Sequence, residues 1–163
     1  MSLKDTPLGT PEKFNVVVEI PKGSPTKFEY DEAKDQIVSD FEFRDGLLFI
    51  NNYGFIPQTK ADDNDPVDVM ILGHNPIPSG TIVSCRPIGL IKMLDRGQGD
   101  DKVLAVAVDS NEPYQDIADF SEEERQKVIA FYMEVGRQKQ KLIQILGFED
   151  RQQAIEAIKR AML

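Results

Sequence analysis

The first 108 residues are a succession of short segments rich in β-branched residues, each interrupted by Pro or Gly before it can lengthen. Such segments favour the pleated strand, and their breaks favour turns. "FNVVVEI" (14–20) stops at Pro21, and "PKGSP" turns the chain. "KFEYD" (27–31) alternates, so Phe28 and Tyr30 face one way and Lys27 and Glu29 the other. "GLLFINNYGFIP" (46–57) has strand content around a tight Asn-Tyr-Gly kink, and "PVDVMILG" (66–73) reads as a strand. "TIVSCRPIGLIKML" (81–94) is long for one regular strand, and Pro87 and Gly89 predict a bulge or a bend. "KVLAVAV" (102–108) closes the series.

Beyond it the apolar period changes. Val128, Ile129, Phe131, Tyr132 and Val135 have helical spacing within 121–141, and Ser121 with Glu124 forms a capping box. A second amphipathic helix spans 151–162, with Asp150 as its N-cap. Strands first and helices last predict a mainly β (α+β) single domain over 1–163: a small closed barrel with two C-terminal α-helices on its outside.

Charge narrows the partners. Asp and Glu number 28 against 19 Lys and Arg, a formal charge of −9. This disfavours nucleic acid and anionic membranes, which need a basic excess. No apolar run approaches the ~20 residues of a membrane helix, and the N-terminus has no signal-like apolar core. The single cysteine, Cys85, excludes an intramolecular disulfide and reads as a small core residue. One histidine, His74, and one cysteine cannot make the usual zinc sets or a His-based triad. No Gly-Lys-Ser/Thr follows Gly97 and Gly99, so a P-loop is excluded.

The acidic residues are not evenly spread. "DDNDPVD" places Asp62, Asp63, Asp65 and Asp68 at the mouth of a strand. Alone, this is an Asx-rich turn. An EF-hand fails, because Asp68 stands where its loop needs Gly. In extended chain Asp63 and Asp65 share a face, and Pro66 lets Asp68 turn toward them. A second set, Asp95, Asp100 and Asp101 with Lys102, lies at another strand end. A third comprises Glu19, inside an otherwise apolar strand, with Lys27 and Glu29 on the next. Carboxylates suit hard divalent cations, and lysines suit the phosphates such cations carry.

"VVVEIPKGSPTKFEYD", "NNYGFIP", "DDNDPVDVMIL" and "CRPIGLIKMLDRGQGDDKVLAV" together resemble the soluble family I inorganic pyrophosphatases. Asp63-Asn64-Asp65-Pro66-Val67-Asp68 is similar to the family's acidic signature, and order and spacing agree over roughly 14–108. The resemblance implies a five-stranded OB-like barrel and Mg²⁺-dependent hydrolysis of pyrophosphate, with several ions and Mn²⁺ as a substitute. It also implies a cytoplasmic homo-oligomer, a hexamer in bacterial members. By resemblance Asp63, Asp65, Asp68, Asp95 and Asp100 match metal ligands, and Asp65 matches the acceptor of the attacking water's proton. Glu19 and Glu29 match indirect metal contacts, and Lys27, Tyr53 and Lys102 match substrate contacts.

The departures from the family concentrate on one job. Phe41 stands where the family has Arg, Phe49 where it has Tyr, and Arg96 where it usually has an acid. "MEVGRQKQK" after Phe131-Tyr132 lacks the family's Tyr-Lys pair. The missing Arg and Tyr-Lys pair grip one phosphate in the family. Either Arg44, Arg137, Lys139 or Lys141 refills that grip, or the substrate has changed toward another phosphoanhydride. A third outcome is a catalytically weak protein that binds metal or polyphosphate.

Overall fold

The computed structural model describes residues 1–163. A 3₁₀ turn (Leu3–Asp5) precedes β1 (Gly9–Thr10), β2 (Lys13–Ile20), β3 (Thr26–Asp31), β4 (Gln36–Glu42), β5 (Asn52–Phe55) and β6 (Asp68–Leu72). Then come β7 (Ile82–Asp95), β8 (Gln98–Gly99), β9 (Lys102–Ala107), a 3₁₀ turn (Ile117–Asp119), α1 (Glu122–Lys139), β10 (Ile143–Asp150) and α2 (Arg151–Ala161).

Five strands close a ring in the order β2-β5-β6-β9-β7, with β7 pairing back onto β2. Every pairing in the ring is antiparallel except β6 with β9. The long β7 makes closure possible. Its N-terminal half pairs with β2, its middle with β9 and its C-terminal half with β10. The register shifts between Pro87 and Gly89, where the sequence predicts a bend. A bulge strengthens local twist and turns the strand from one neighbour to the next.

Both faces of the ring are apolar. On β6, Val69 and Ile71 join a cluster with Ala154 and Ile158 of α2, while Met70 and Leu72 join one with Phe131 and Val135 of α1. Successive strand residues point to opposite faces, so burying both gives an unbroken apolar run. Cys85 is fully buried there, and burial pushes its thiol up to about 12.

The sequence suggests a kink at Asn-Tyr-Gly, but Asn52–Phe55 runs as regular strand, and the glycine there has a steric cause instead. A Cβ on Gly54 would sit 2.1 Å from the Val17 carbonyl oxygen, where β5 crosses β2. Only glycine permits that approach. The helix ends follow the capping signals. The Ser121 hydroxyl accepts from Glu124 N–H while the Glu124 carboxylate accepts from Ser121 N–H, and Asp150 accepts from Gln153 N–H.

Four strands escape the sequence pattern, the two-residue β1 and β8 and the longer β4 and β10, while 46–51 is turn and irregular chain instead of strand. In β4 every residue is exposed or half-buried, so no alternation marks it. It pairs only with β3, as a hairpin beside the barrel that carries Lys27 and Glu29. β10 is extended because it pairs along β7 from Gly89 to Asp95.

Tyr132 packs against Phe131 behind the barrel mouth, and its sealed hydroxyl has no hydrogen-bond partner. A buried unsatisfied hydroxyl costs free energy. Tyr132→Phe is therefore expected to leave stability unchanged or raise it by about 1 kcal/mol. A denaturant melt that shows a loss of that size instead would mean the hydroxyl is satisfied.

Candidate active site

One end of the barrel opens into a cleft of about 820 Å³. It is lined by all of Glu19, Lys27, Glu29, Tyr53, Asp63, Asp65, Asp68, Asp95, Asp100 and Lys102. Residues up to 83 positions apart in sequence meet because ring closure brings the ends of β2, β5, β6, β7 and β9 to one mouth.

The acidic loop is folded back, not extended. Asn64 adopts a left-handed φ of 68°, and Asp65 N–H donates to Asp63 Oδ1 at 3.0 Å, an Asx turn. The turn separates Asp63 from Asp65. The carboxylates that converge are Asp63, Asp68 and Asp100, with oxygens all within 4.8 Å of one another. The parallel register explains the third member: Asp68 lies opposite Lys102, two residues past Asp100. Asp65 lies apart from this trio, and no hydrogen bond or ion pair engages its carboxylate.

Lys102 sits between two of the three. Its ammonium donates to Asp68 Oδ2 at 2.8 Å and Asp100 Oδ1 at 3.0 Å, and lies 5.4 Å from the Tyr53 ring centre. Burial works against its charge, but Asp68, Tyr53 and Asp100 outweigh it and hold its pKa well above the usual lysine value. Burial raises Asp100 to about 6 despite Lys102, with Asp68 adding to the rise. Burial also raises Asp65, helped by Asp63 and Asp68. Glu19, buried in β2, accepts from Tyr30 N–H at 2.8 Å, and burial lifts it to about 8. A carboxyl raised so far near like charges marks a place built for added positive charge.

The cleft lining also carries basic residues. Lys27 Nζ bonds Asp40 Oδ2 at 2.9 Å and lies 3.8 Å from Glu29. Lys141 Nζ bonds Asp95 Oδ2 at 2.6 Å, and Arg96 Nε bonds Asp95 Oδ1 at 3.0 Å. Burial pushes Asp95 up, but Lys141 and then Arg96 prevail and hold it below the ordinary aspartate range. Lys139 also lines the cleft, whereas Arg44 and Arg137 do not. Arg137 turns outward to Glu134 and Asp45, and Arg44 binds the Gln138 carbonyl. The sequence names Lys139 and Lys141 only among several basic residues near a helix end. The left-handed Gln140, at φ 55°, ends α1 between them.

The donor set fits divalent metal. Three convergent carboxylates offer hard oxygen ligands, and a lysine ammonium already sits among them. His74 is 90% exposed in its side chain and Cys85 is buried in the core, so neither offers a nitrogen or sulfur alternative.

Convergent oxygen donors and ammonium groups in one cleft define a protein that handles phosphoryl compounds through bound cations. The family model for inorganic pyrophosphatase matches residues 16–163. Soluble inorganic pyrophosphatase 1 of Arabidopsis thaliana is 36% identical over 94% of this chain and 74% of its own. The inorganic pyrophosphatase of Saccharolobus solfataricus is 38% identical over 93% and 91%. The crystal structure of the Thermus thermophilus inorganic pyrophosphatase superposes with a TM-score of 0.92 at 34% identity, covering 99% of this chain and 97% of that one. The chain belongs to the soluble inorganic pyrophosphatase family.

Proposed function

We propose that this chain hydrolyses inorganic pyrophosphate to two phosphates, with Mg²⁺ as the working metal. The observation that carries it is the convergence of Asp63, Asp68 and Asp100 within 4.8 Å in a cleft that Lys27, Lys139 and Lys141 also line. Family membership supports the same reaction.

Asp63, Asp68 and Asp100 would hold the metal, with Asp95 and Glu19 also lining the cleft. Divalent ions bound there lower the pKa of water and neutralise phosphoryl charge. Asp65 takes the proton of the attacking water, since its carboxylate is uncommitted and its pKa lies above the usual aspartate value. Lys102 and Tyr53 meet the phosphoryl oxygens from the cleft floor, and Lys27 meets them from the side, with Glu29 orienting its ammonium. No helix is long and apolar enough to cross a membrane. Family kinship also supports a cytoplasmic homo-oligomer, for which light scattering is the direct check.

Purified protein with Mg²⁺ is expected to release phosphate from pyrophosphate, and EDTA is expected to abolish the release. Mn²⁺ should restore part of it. ATP and tripolyphosphate run beside it, because Phe41 leaves a changed phosphate grip open. Release only from those two would favour the altered phosphoanhydride hydrolase. No release from any of the three by folded, metal-loaded protein would leave only a binding role.

A further inference from the structure

We propose that Lys139, seated on the Phe41 ring beside Lys27 and Lys141, holds one of the two phosphates of the substrate. The assignment rests on the pyrophosphatase function above.

Three ammonium groups share one wall of the cleft, and their carboxylates are unequally divided. Lys27 is committed to Asp40 at 2.9 Å, and Lys141 to Asp95 at 2.6 Å. Lys139 has only Asp40, at 4.0 Å, which Lys27 already holds more closely. It is therefore the least compensated cation on this wall. Burial, then Lys141 and Lys27, lower its pKa, so an anion arriving here relieves a real repulsion.

Phe41 supplies the seat. The Lys139 ammonium lies 5.5 Å from the Phe41 ring centre, a cation–π distance. Phe41 is pinned in turn by Phe43, whose ring meets it edge-on at 5.6 Å. An arginine at position 41 would bring its own charge to this wall. A phenylalanine there carries none, but it holds a lysine that arrives from α1. Arg44 and Arg137 are committed elsewhere and do not line the cleft.

Isothermal titration with methylenediphosphonate, whose P–C–P bridge resists hydrolysis, reads binding without turnover. In the presence of Mg²⁺, Lys139→Gln is expected to weaken binding about 10- to 100-fold, the worth of one hydrogen bond to a charged group. KM for pyrophosphate should rise more than kcat falls, Lys139→Arg should restore most of the affinity, and Arg137→Gln should change neither. Lys139→Met, which keeps the stem on Phe41, tests the charge alone if Lys139→Gln folds poorly. Unchanged diphosphonate affinity in the neutral variants overturns the assignment, as does a wild-type protein that binds no diphosphonate. A wild-type protein that binds it through Lys139 yet hydrolyses no pyrophosphate overturns the function and leaves the subsite standing.

Discussion

Asp65→Asn is expected to lower pyrophosphate turnover about 10²- to 10⁴-fold, the usual worth of a positioned general base, while leaving the fold intact. The amide matches the carboxylate in shape but cannot take a proton at neutral pH. Asp65 is the acid of the cleft best suited to that task. Asp68 and Asp100 share Lys102, Asp95 is held by Lys141 and Arg96, and Asp63 accepts from the Asp65 backbone. Only Asp65 combines a raised pKa with a carboxylate free of hydrogen bonds. Its side chain sustains no contact whose loss would unfold the protein, so its melting curve should overlay that of the wild type. Asp63→Asn makes a useful contrast, because it perturbs both the Asx turn and the convergent trio. Steady-state kcat with circular dichroism melts decides the matter, and full retained turnover in folded Asp65→Asn would refute the assignment.

The barrel was legible because its strands are apolar on both faces and their breaks are Pro and Gly. The two helices were legible from spacing and caps. β4 was not, because a hairpin beside the barrel carries no burial pattern for a sequence to display. The site was legible as composition but not as geometry. "DNDPVD" suggests that Asp63, Asp65 and Asp68 converge if the chain is extended. The positive φ of Asn64 breaks that premise, and the parallel pairing of β6 with β9 brings in Asp100 instead. Such pairing between distant strands leaves no trace in local periodicity. The basic wall illustrates the same limit. Arg137 and Lys139, about 200° apart on one helix, must face different ways, but only the docking of α1 decides that Lys139 is the one in the cleft.

Lys102→Met is expected to destabilise the metal-free protein by about 3–5 kcal/mol, the cost of breaking a buried ion pair from one side. Lys102 is 5% exposed, and its ammonium is the one cation bonded to Asp68 and Asp100. Removing it leaves Asp63, Asp68 and Asp100 within 4.8 Å of one another with no charge between them. Metal should recover much of the loss, because an ion that binds only the folded state stabilises it by mass action. Melts of wild type and Lys102→Met, each in EDTA and in Mg²⁺, separate the two effects. The midpoint gap should be wide in EDTA and narrow in Mg²⁺. pH gives a second handle with an unusual sign. Glu19 is raised from 4.5 to about 8 and Asp100 from 3.8 to about 6, so the folded state binds protons that the unfolded state has released. Metal-free protein should thus lose stability as pH rises from about 4 to 8, the reverse of a salt-bridged carboxylate. With metal bound the acids are held ionised, and that slope should flatten. A metal-free protein equally stable across this range would show that these carboxyls are not under strain. In that case Lys102 would be only one ion pair among many, and not the cation that holds the acidic wall together before metal arrives.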